Sequence, residues 1–443
     1  MIFDRICAVA SPIGVSAIGM IRCSGEGVHS VVMPFLKGIR GIESRLAKRA
    51  EFVCGNRTID EVVAVFFSKP SSYTGEDMVE ITFHGSPLIL QNALQCLMSK
   101  GMRLALPGEF TKRAVLNGKM DLIKAESINA MISAPTSRAL EAAMSAFKGG
   151  LSVGIEKLRR KLIGVLAEIE VELNYPEEHL SDRKSLRKEL ASISFQLSDM
   201  VSRGQNGIVL TQGIKTVIVG RPNVGKSTLL NTLLRKDRAI VTDIPGTTRD
   251  TIEEALNVGG TYFRIIDTAG IRMDADGIEY LGVKRSLNVI GEADLCLFVI
   301  DLSDPEEDLH LLEQLSESMK RYIVVGNKKD LEKDESQFSG CDVKISARSG
   351  NGLEELEKTM KEKTWEITEL GNDEVIVSER QKSLLVECID ILNDAVVSLD
   401  RNEGIDIASS LLSQSLLSLD ELTGRRATED LLDSIFSNFC VGK

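Results

Sequence analysis

Gly220-Arg221-Pro222-Asn223-Val224-Gly225-Lys226-Ser227 follows the compact apolar run Ile214 to Val219 and leads into the helix-like Leu229-Leu230-Asn231. A strand, a G-x-x-x-x-G-K-[ST] octapeptide and a helix, in that order, make a phosphate-binding loop. Its glycines let backbone N–H groups wrap phosphate oxygens, and the helix N-terminus adds a favourable dipole. Lys226 is placed to reach the β- and γ-phosphates and Ser227 to ligate Mg²⁺, with Val224, Gly225 and Thr228 completing the cradle. Taken alone, the octapeptide also reads as a tight turn into a helix.

Its company decides between the two. Asp267-Thr268-Ala269-Gly270 ends the next strand, Tyr262 to Ile266, and brings an acid to the metal and a glycine to the γ-phosphate. Asn327-Lys328-Lys329-Asp330 follows the strand Tyr322 to Val325. The Asp330 carboxylate can accept two N–H bonds from a guanine edge, which adenine cannot supply, so selectivity for GTP follows. Ser346-Ala347 completes the base pocket. Between these motifs lies Thr242-Asp243-Ile244-Pro245-Gly246-Thr247-Thr248-Arg249-Asp250, in which Thr247 or Thr248, preferably Thr248, can ligate Mg²⁺ and order the segment around the γ-phosphate. Arg249 reads equally as an ion-pair partner. Ile271 stands where many regulatory GTPases carry a water-orienting glutamine. An acid from Asp274 to Glu279 is the natural substitute, solvent exposure being the plainer reading of each.

Ile214 to Val219, Tyr262 to Ile266, Leu295 to Ile300 and Tyr322 to Val325 alternate with helical segments, which predicts a mostly parallel sheet covered on both faces. Before it, strand-like Ile6 to Ala10, Val62 to Phe67 and Val79 to Phe83, with a helix from Leu88 to Ser99, predict an α+β domain. Helical texture fills the stretch from Leu122, with helices over Glu156 to Leu173 and Arg183 to Ser202, a stop at Pro176 and a loop marked by Gly204 and Gly207. It returns from about Val375, so the α/β unit reads as an insertion into one helical domain.

At 443 residues the chain is long enough for two or three cores. Its net charge of −12 argues against non-specific nucleic-acid binding. Two basic clusters, Lys157 with Arg159, Arg160 and Lys161, and Arg183 with Lys184, Arg187 and Lys188, read first as solvated helix faces. With no membrane-spanning run and no secretory leader pattern, the expected location is the cytoplasm. The 8 cysteines contain no Cys-x-x-Cys pair, so neither a zinc site nor a disulfide framework is expected. His84 has no sequence neighbour suited to sharing a metal, and structural packing is its expected role.

The whole chain resembles the MnmE, or TrmE, family of tRNA-modification GTPases. The likeness is carried by Ser72-Tyr73-Thr74-Gly75-Glu76-Asp77, Phe83-His84-Gly85, Pro107-Gly108-Glu109-Phe110-Thr111-Lys112-Arg113, Asn117 to Leu122, Ala125-Glu126, Asn174 to Glu178 and the tail Phe439-Cys440-Val441-Gly442-Lys443. The resemblance implies an α+β tetrahydrofolate-binding and dimerisation domain at residues 1–118. It implies a helical domain at 119–213 and 369–443, with a Ras-like G domain, 214–368, inserted into it. It further implies a homodimer, an MnmG-type partner that carries FAD, and modification of the wobble uridine of tRNA at C5.

Carried over residue by residue, Asn223 would give its side-chain oxygen to an activating K⁺, with the loop of Thr242, Ile244 and Thr247 closing around the ion. Glu279 would orient the attacking water. Cys440 would lie near the modification chemistry, its alternative being structural. Arg22, Arg113 and Glu126 would meet the one-carbon folate, the alternative being internal ion pairs or dimer contacts. Val15-Ser16-Ala17 departs from a family stretch richer in glycine, and added Cβ atoms restrict backbone approach there. Ser409-Ser410-Leu411-Leu412 lacks an arginine common before the last helices. Competing readings are a regulatory or ribosome-assembly GTPase and a folate-dependent methyltransferase or binding module; the first-domain motifs oppose the former, and intact Lys226, Asp267 and Asp330 the latter.

Overall fold

The computed structural model describes residues 4–175, 183–237, 253–266, 289–331, 340–369, 374–401 and 404–443. Within it the chain forms two compact units, residues 1–125 with 423–443, and residues 126–422.

The first unit is built on a sheet of β1 (Ile6–Val9), β2 (Ser16–Ser24), β3 (Leu36–Lys37), β4 (Ala47–Cys54), β5 (Arg57–Phe67), β6 (Met78–Gly85) and β7 (Arg103–Leu104), in the order β3-β4-β5-β6-β2-β1-β7. All neighbours are antiparallel except β1 and β7. Alternation does the sorting: Val62, Ala64 and Phe66 of β5 are buried while their neighbours are not, as a period of two requires. The short helix α1 (Val28–Val32) and the longer α2 (Pro87–Met98) contribute to one core, with Leu90, Ala93 and Leu97 of α2 among Phe52, Phe66 and Phe83 of the sheet. Helix α3 (Glu109–Leu116) follows the Pro107-Gly108 turn.

Cys54 and Cys96 are joined by a disulfide across a sequence separation of 42 residues, where cysteine spacing suggests no disulfide framework. Packing of α2 on the sheet brings its Cys96 to the end of β4, a juxtaposition invisible in cysteine spacing.

The second unit contains the helices α4 (Leu122–Ile132, which begins in the first unit), α5 (Ser137–Phe147), α6 (Gly150–Asn174), α7 (Arg183–Gly204) and α8 (Asn206–Gln212). Leu151, Ile155, Leu158, Leu162, Val165 and Ile169 of α6 are buried, the 3–4 spacing of an amphipathic stripe. Gly204 and Gly207 do not make the expected loop; the first ends α7 and the second lies in α8. An added Cβ would stand 2.4 Å from the Glu374 carbonyl oxygen at Gly204 and 2.3 Å from Val375 Cγ1 at Gly207. These glycines serve close packing against residues 374–376 rather than a turn.

The sheet of this unit is β8 (Ile214–Val219), β9 (Glu253–Val258), β10 (Thr261–Ile266), β11 (Leu295–Asp301), β12 (Tyr322–Asn327) and β13 (Val343–Lys344), ordered β13-β12-β11-β8-β10-β9. Only β9 runs antiparallel to its neighbour. With α9 (Lys226–Asp237), α10 (Glu306–Leu315) and α11 (Leu353–Thr368), it buries one core around Leu229, Phe263, Leu297 and Leu356 and another around Val217, Phe298, Ile300 and Leu315. Two-sided burial is why β11 is apolar without alternation. Helices α12 (Glu379–Asp400) and α13 (Ile405–Thr423) follow, and α14 (Glu429–Phe436) belongs to the first unit, where Leu432 and Phe436 pack with Leu122 and Phe439. No described helix is long and apolar enough to cross a membrane.

Candidate functional site

The octapeptide links β8 to α9 through a backbone that only a few residues tolerate. Gly220 (φ 150°) and Gly225 (φ 101°) flank Asn223 (φ 66°). A Cβ at Gly225 would stand 2.2 Å from Asn327 Nδ2, so backbone and amide can approach only without it. Lys226 Nζ donates to the carbonyls of Gly220 and Arg221, each at 2.7 Å. Burial pulls its pKa below the ordinary lysine value, with partial compensation from Asp308. An ammonium held by neutral carbonyls gains by exchanging them for phosphate oxygens, because charge-assisted bonds are stronger. Ser227 and Thr228 are exposed in the first turn of α9, Asn223 is exposed in the loop and Val224 is buried.

Asn327 ties the phosphate loop to the other side of the site. Its Nδ2 donates to the Val224 carbonyl at 2.8 Å, and its Oδ1 accepts the Ala347 N–H at 2.9 Å. Thr232 of α9 donates to the Ala347 carbonyl at 2.8 Å, and the Lys329 N–H reaches the Ile345 carbonyl at 3.0 Å. Lys328 stands at φ 63° and pairs with Asp301. For a residue with a Cβ such a backbone costs about 1–2 kcal/mol. Asp330 is exposed, and a hydrogen bond from the Ser346 side chain, followed by a bond from its own backbone, lowers its pKa. Phosphate loop, Asn327-Lys328-Lys329-Asp330 and Ser346-Ala347 are thus one connected surface at the C-terminal ends of β8, β12 and β13. Ligands of open α/β sheets bind at that end.

Two acids behind this surface, Asp301 and Asp308, are not apparent from sequence. Asp308 of α10 is fully buried; one oxygen accepts the Asp301 N–H at 2.9 Å, while Oδ1 has no hydrogen-bond partner among the described residues and lies 3.8 Å from Arg221 Nε. Burial raises its pKa, against the pull of the Asp301 N–H and Arg221. Neither acid belongs to a motif, and the one sequence signal was an aspartate closing an otherwise apolar strand.

Thr242, Ile244, Thr247, Thr248, Arg249, Asp250, Asp267, Gly270, Ile271 and Glu279 lie outside the described residues. Among the described residues no cluster of His, Cys, Asp and Glu forms a metal site. His84 is exposed and pairs with Asp60 at 2.7 Å, rather than being packed.

In the first unit, Arg22 pairs with Glu80 at 2.8 Å, donates to the Gly442 carbonyl at 3.2 Å and lies over the Tyr73 and Phe110 rings. The tail is also held by the Gly108 N–H, which donates to the Cys440 carbonyl at 3.2 Å, and the Cys440 side chain is half-buried. Arg113 is 2% exposed and bonds Asp4, Glu76 and Glu109. In the second unit, Glu126 accepts from both Nε and Nη2 of Arg380 and from the Ser378 and Gln381 side chains.

Against known families, the model of the MnmE helical domain matches residues 122–440, and that of the GTP-binding protein TrmE N-terminus matches residues 5–119. The chain is 47% identical to the tRNA modification GTPase MnmE of Thermotoga maritima, covering 99% of this chain and 100% of that protein. Its identity to the MnmE of Aquifex aeolicus is 44%, over 99% of this chain and 100% of the relative. Among solved structures, the G domain of the T. maritima FeoB iron transporter is similar over 34% of this chain and 98% of its own, at 29% identity and a TM-score of 0.28.

Proposed function

The chain belongs to the MnmE/TrmE family of tRNA-modification GTPases and is a GTP hydrolase, and on that premise we propose that K⁺-stimulated hydrolysis is coupled, with an MnmG-type FAD protein, to modification of tRNA. The product is an aminomethyl or carboxymethylaminomethyl group at C5 of the wobble uridine. The observation that carries the nucleotide half is Asn327, whose amide holds the phosphate loop and the Ser346-Ala347 loop in one arrangement. Lys226 exchanges its loop carbonyls for phosphate oxygens, and Asp330, beside Ser346, accepts from the base edge.

The donor set suits both proposed cations, since hydroxyl and amide oxygens are hard ligands. Ser227 with Thr248 would hold Mg²⁺, and Asn223 with the segment of Thr242, Ile244 and Thr247 would hold K⁺; the ions would supply neutralisation of charge on the transferring phosphoryl group. Glu279 orients water. A one-carbon tetrahydrofolate reading is best supported at Arg22, which lies over two aromatic rings and keeps part of its side chain accessible. Arg113 and Glu126 support it less: like Arg22 they pair with neighbouring charges, but their side chains are more deeply buried. Cys440 contributes near the modification chemistry. Exposed Ile13, Val15 and Ile18 support a homodimer formed through the first unit.

The test is uridine modification by this protein with an MnmG-type partner, tRNA, a methylene donor, GTP and K⁺. Product is expected with the wild type and not with Glu279→Ala, which keeps nucleotide binding. No product, where another family member supports turnover of the same partner and tRNA, removes the modification reading and leaves a regulatory GTPase.

A further inference from the structure

The left-handed backbone at Lys328 has a geometric consequence. It turns the chain so that successive residues face different parts of the site: Asn327 toward Val224 and Ala347, the Lys329 N–H toward Ile345, and Asp330 toward Ser346. What holds the turn is on the adjacent strand. Asp301 closes β11 directly opposite Asn327 in the parallel ladder, and its Oδ2 takes the Lys328 ammonium at 2.5 Å. Its Oδ1 accepts the Ser303 N–H at 3.0 Å and hydroxyl at 2.6 Å, and its own N–H is fixed by buried Asp308. The same Asp308 faces Arg221 of the phosphate loop. Every atom that could let Asp301 swing is therefore engaged.

We propose that Asp301 is a positioning residue for guanine recognition, anchoring Lys328 and so fixing the left-handed turn that presents Asp330 to the base. The role is exerted through Lys328. An exposed ion pair would add little. This one matters because an otherwise unfavourable backbone depends on it, and a turned-away Asp330 loses both bonds to the base. The inference rests on the reading of these loops as a guanine-nucleotide site.

The experiment titrates the full-length protein with a fluorescent N-methylanthraniloyl GDP and follows steady-state GTP hydrolysis. Asp301→Asn, which keeps the shape, and Asp301→Ala are each expected to weaken GDP binding about tenfold, as loss of a charge-assisted contact does. KM for GTP rises by a similar factor and kcat stays within about twofold, because phosphoryl transfer is untouched once GTP is bound. The double variant Asp301→Ala/Lys328→Ala binds no more weakly than Lys328→Ala alone, as residues acting through one contact must. Additive losses, a fall in kcat matching the rise in KM, or unchanged affinity in Asp301→Asn while the wild type binds GDP would each overturn the assignment. If Asp301→Ala does not fold, Asp301→Asn decides. A wild type that binds no guanine nucleotide overturns the site reading, and this inference with it.

Discussion

The Arg113 cluster of the first unit and the nucleotide loops of the second use their charged residues in opposite ways. In the first, Arg113 is enclosed by Asp4, Glu76 and Glu109, and Glu109 also takes the Arg103 guanidinium at 2.7 Å. Those charges satisfy one another, and the network ties the N-terminal residues to β7 and α3. In the nucleotide loops of the second unit, the Lys226 ammonium is drawn out of water yet, among the described residues, donates to carbonyl oxygens, while Asn223 and Lys328 stand in left-handed backbone. Paired charge contributes to stability. Charge and backbone held in an unfavourable state are kept for a ligand, and the polypeptide around them bears the cost. A charged residue in a recognisable motif shows its role through what the chain itself offers it.

The largest expected effect tests the paired side. Arg113→Ala leaves Glu76 and Glu109 without their buried partner and should cost about 3–5 kcal/mol of stability, read as a lowered calorimetric transition. KM for GTP should not change. Next comes Lys226→Ala, where catalytic efficiency toward GTP should fall about 10²–10³-fold, or roughly 2.7–4 kcal/mol. Unliganded protein should unfold at the same temperature or a higher one, because a desolvated ammonium has been removed. A destabilised Lys226→Ala with near-normal GTPase activity, or an Arg113→Ala of normal stability, would break the contrast.

How much of this was legible follows the same division. The phosphate loop was readable because its constraint is local: glycines at fixed offsets, a strand before and a helix after. The alternation of β5 and the stripe of α6 were readable for the same reason. Asp301 was not, since its meaning depends on which strand lies beside β11, and parallel neighbours are fixed by tertiary packing. Cys54 and Cys96 were invisible as a pair for a related reason. Gly204 and Gly207 misled because a glycine that admits a neighbouring backbone looks, in sequence, like one that makes a turn. At Arg113 and Glu126 the sequence shows a charge but not its partners, and Glu126 meets Arg380 from 254 positions away.

The smallest expected effect concerns acid. Burial alone would raise the Glu109 pKa, but hydrogen bonds from Arg103, from the Leu106 N–H and from Arg113 outweigh it and hold the carboxyl below its ordinary 4.5. A carboxyl whose folded value is depressed contributes its stabilisation fully above the unfolded value and loses it as pH falls through the folded one. The transition temperature of the wild type should therefore hold above about pH 5 and decline steadily below 4.5. Glu109→Gln should be less stable by about 1–3 kcal/mol at neutral pH, the worth of hydrogen bonds to a charged group, and should lose less on acidification. The two curves should converge at low pH, where the wild-type carboxyl is neutral as well. Parallel curves would mean that Glu109 acts through shape alone, and the first unit would then owe its stability to the apolar core around Phe52 and Phe83 rather than to its paired charges.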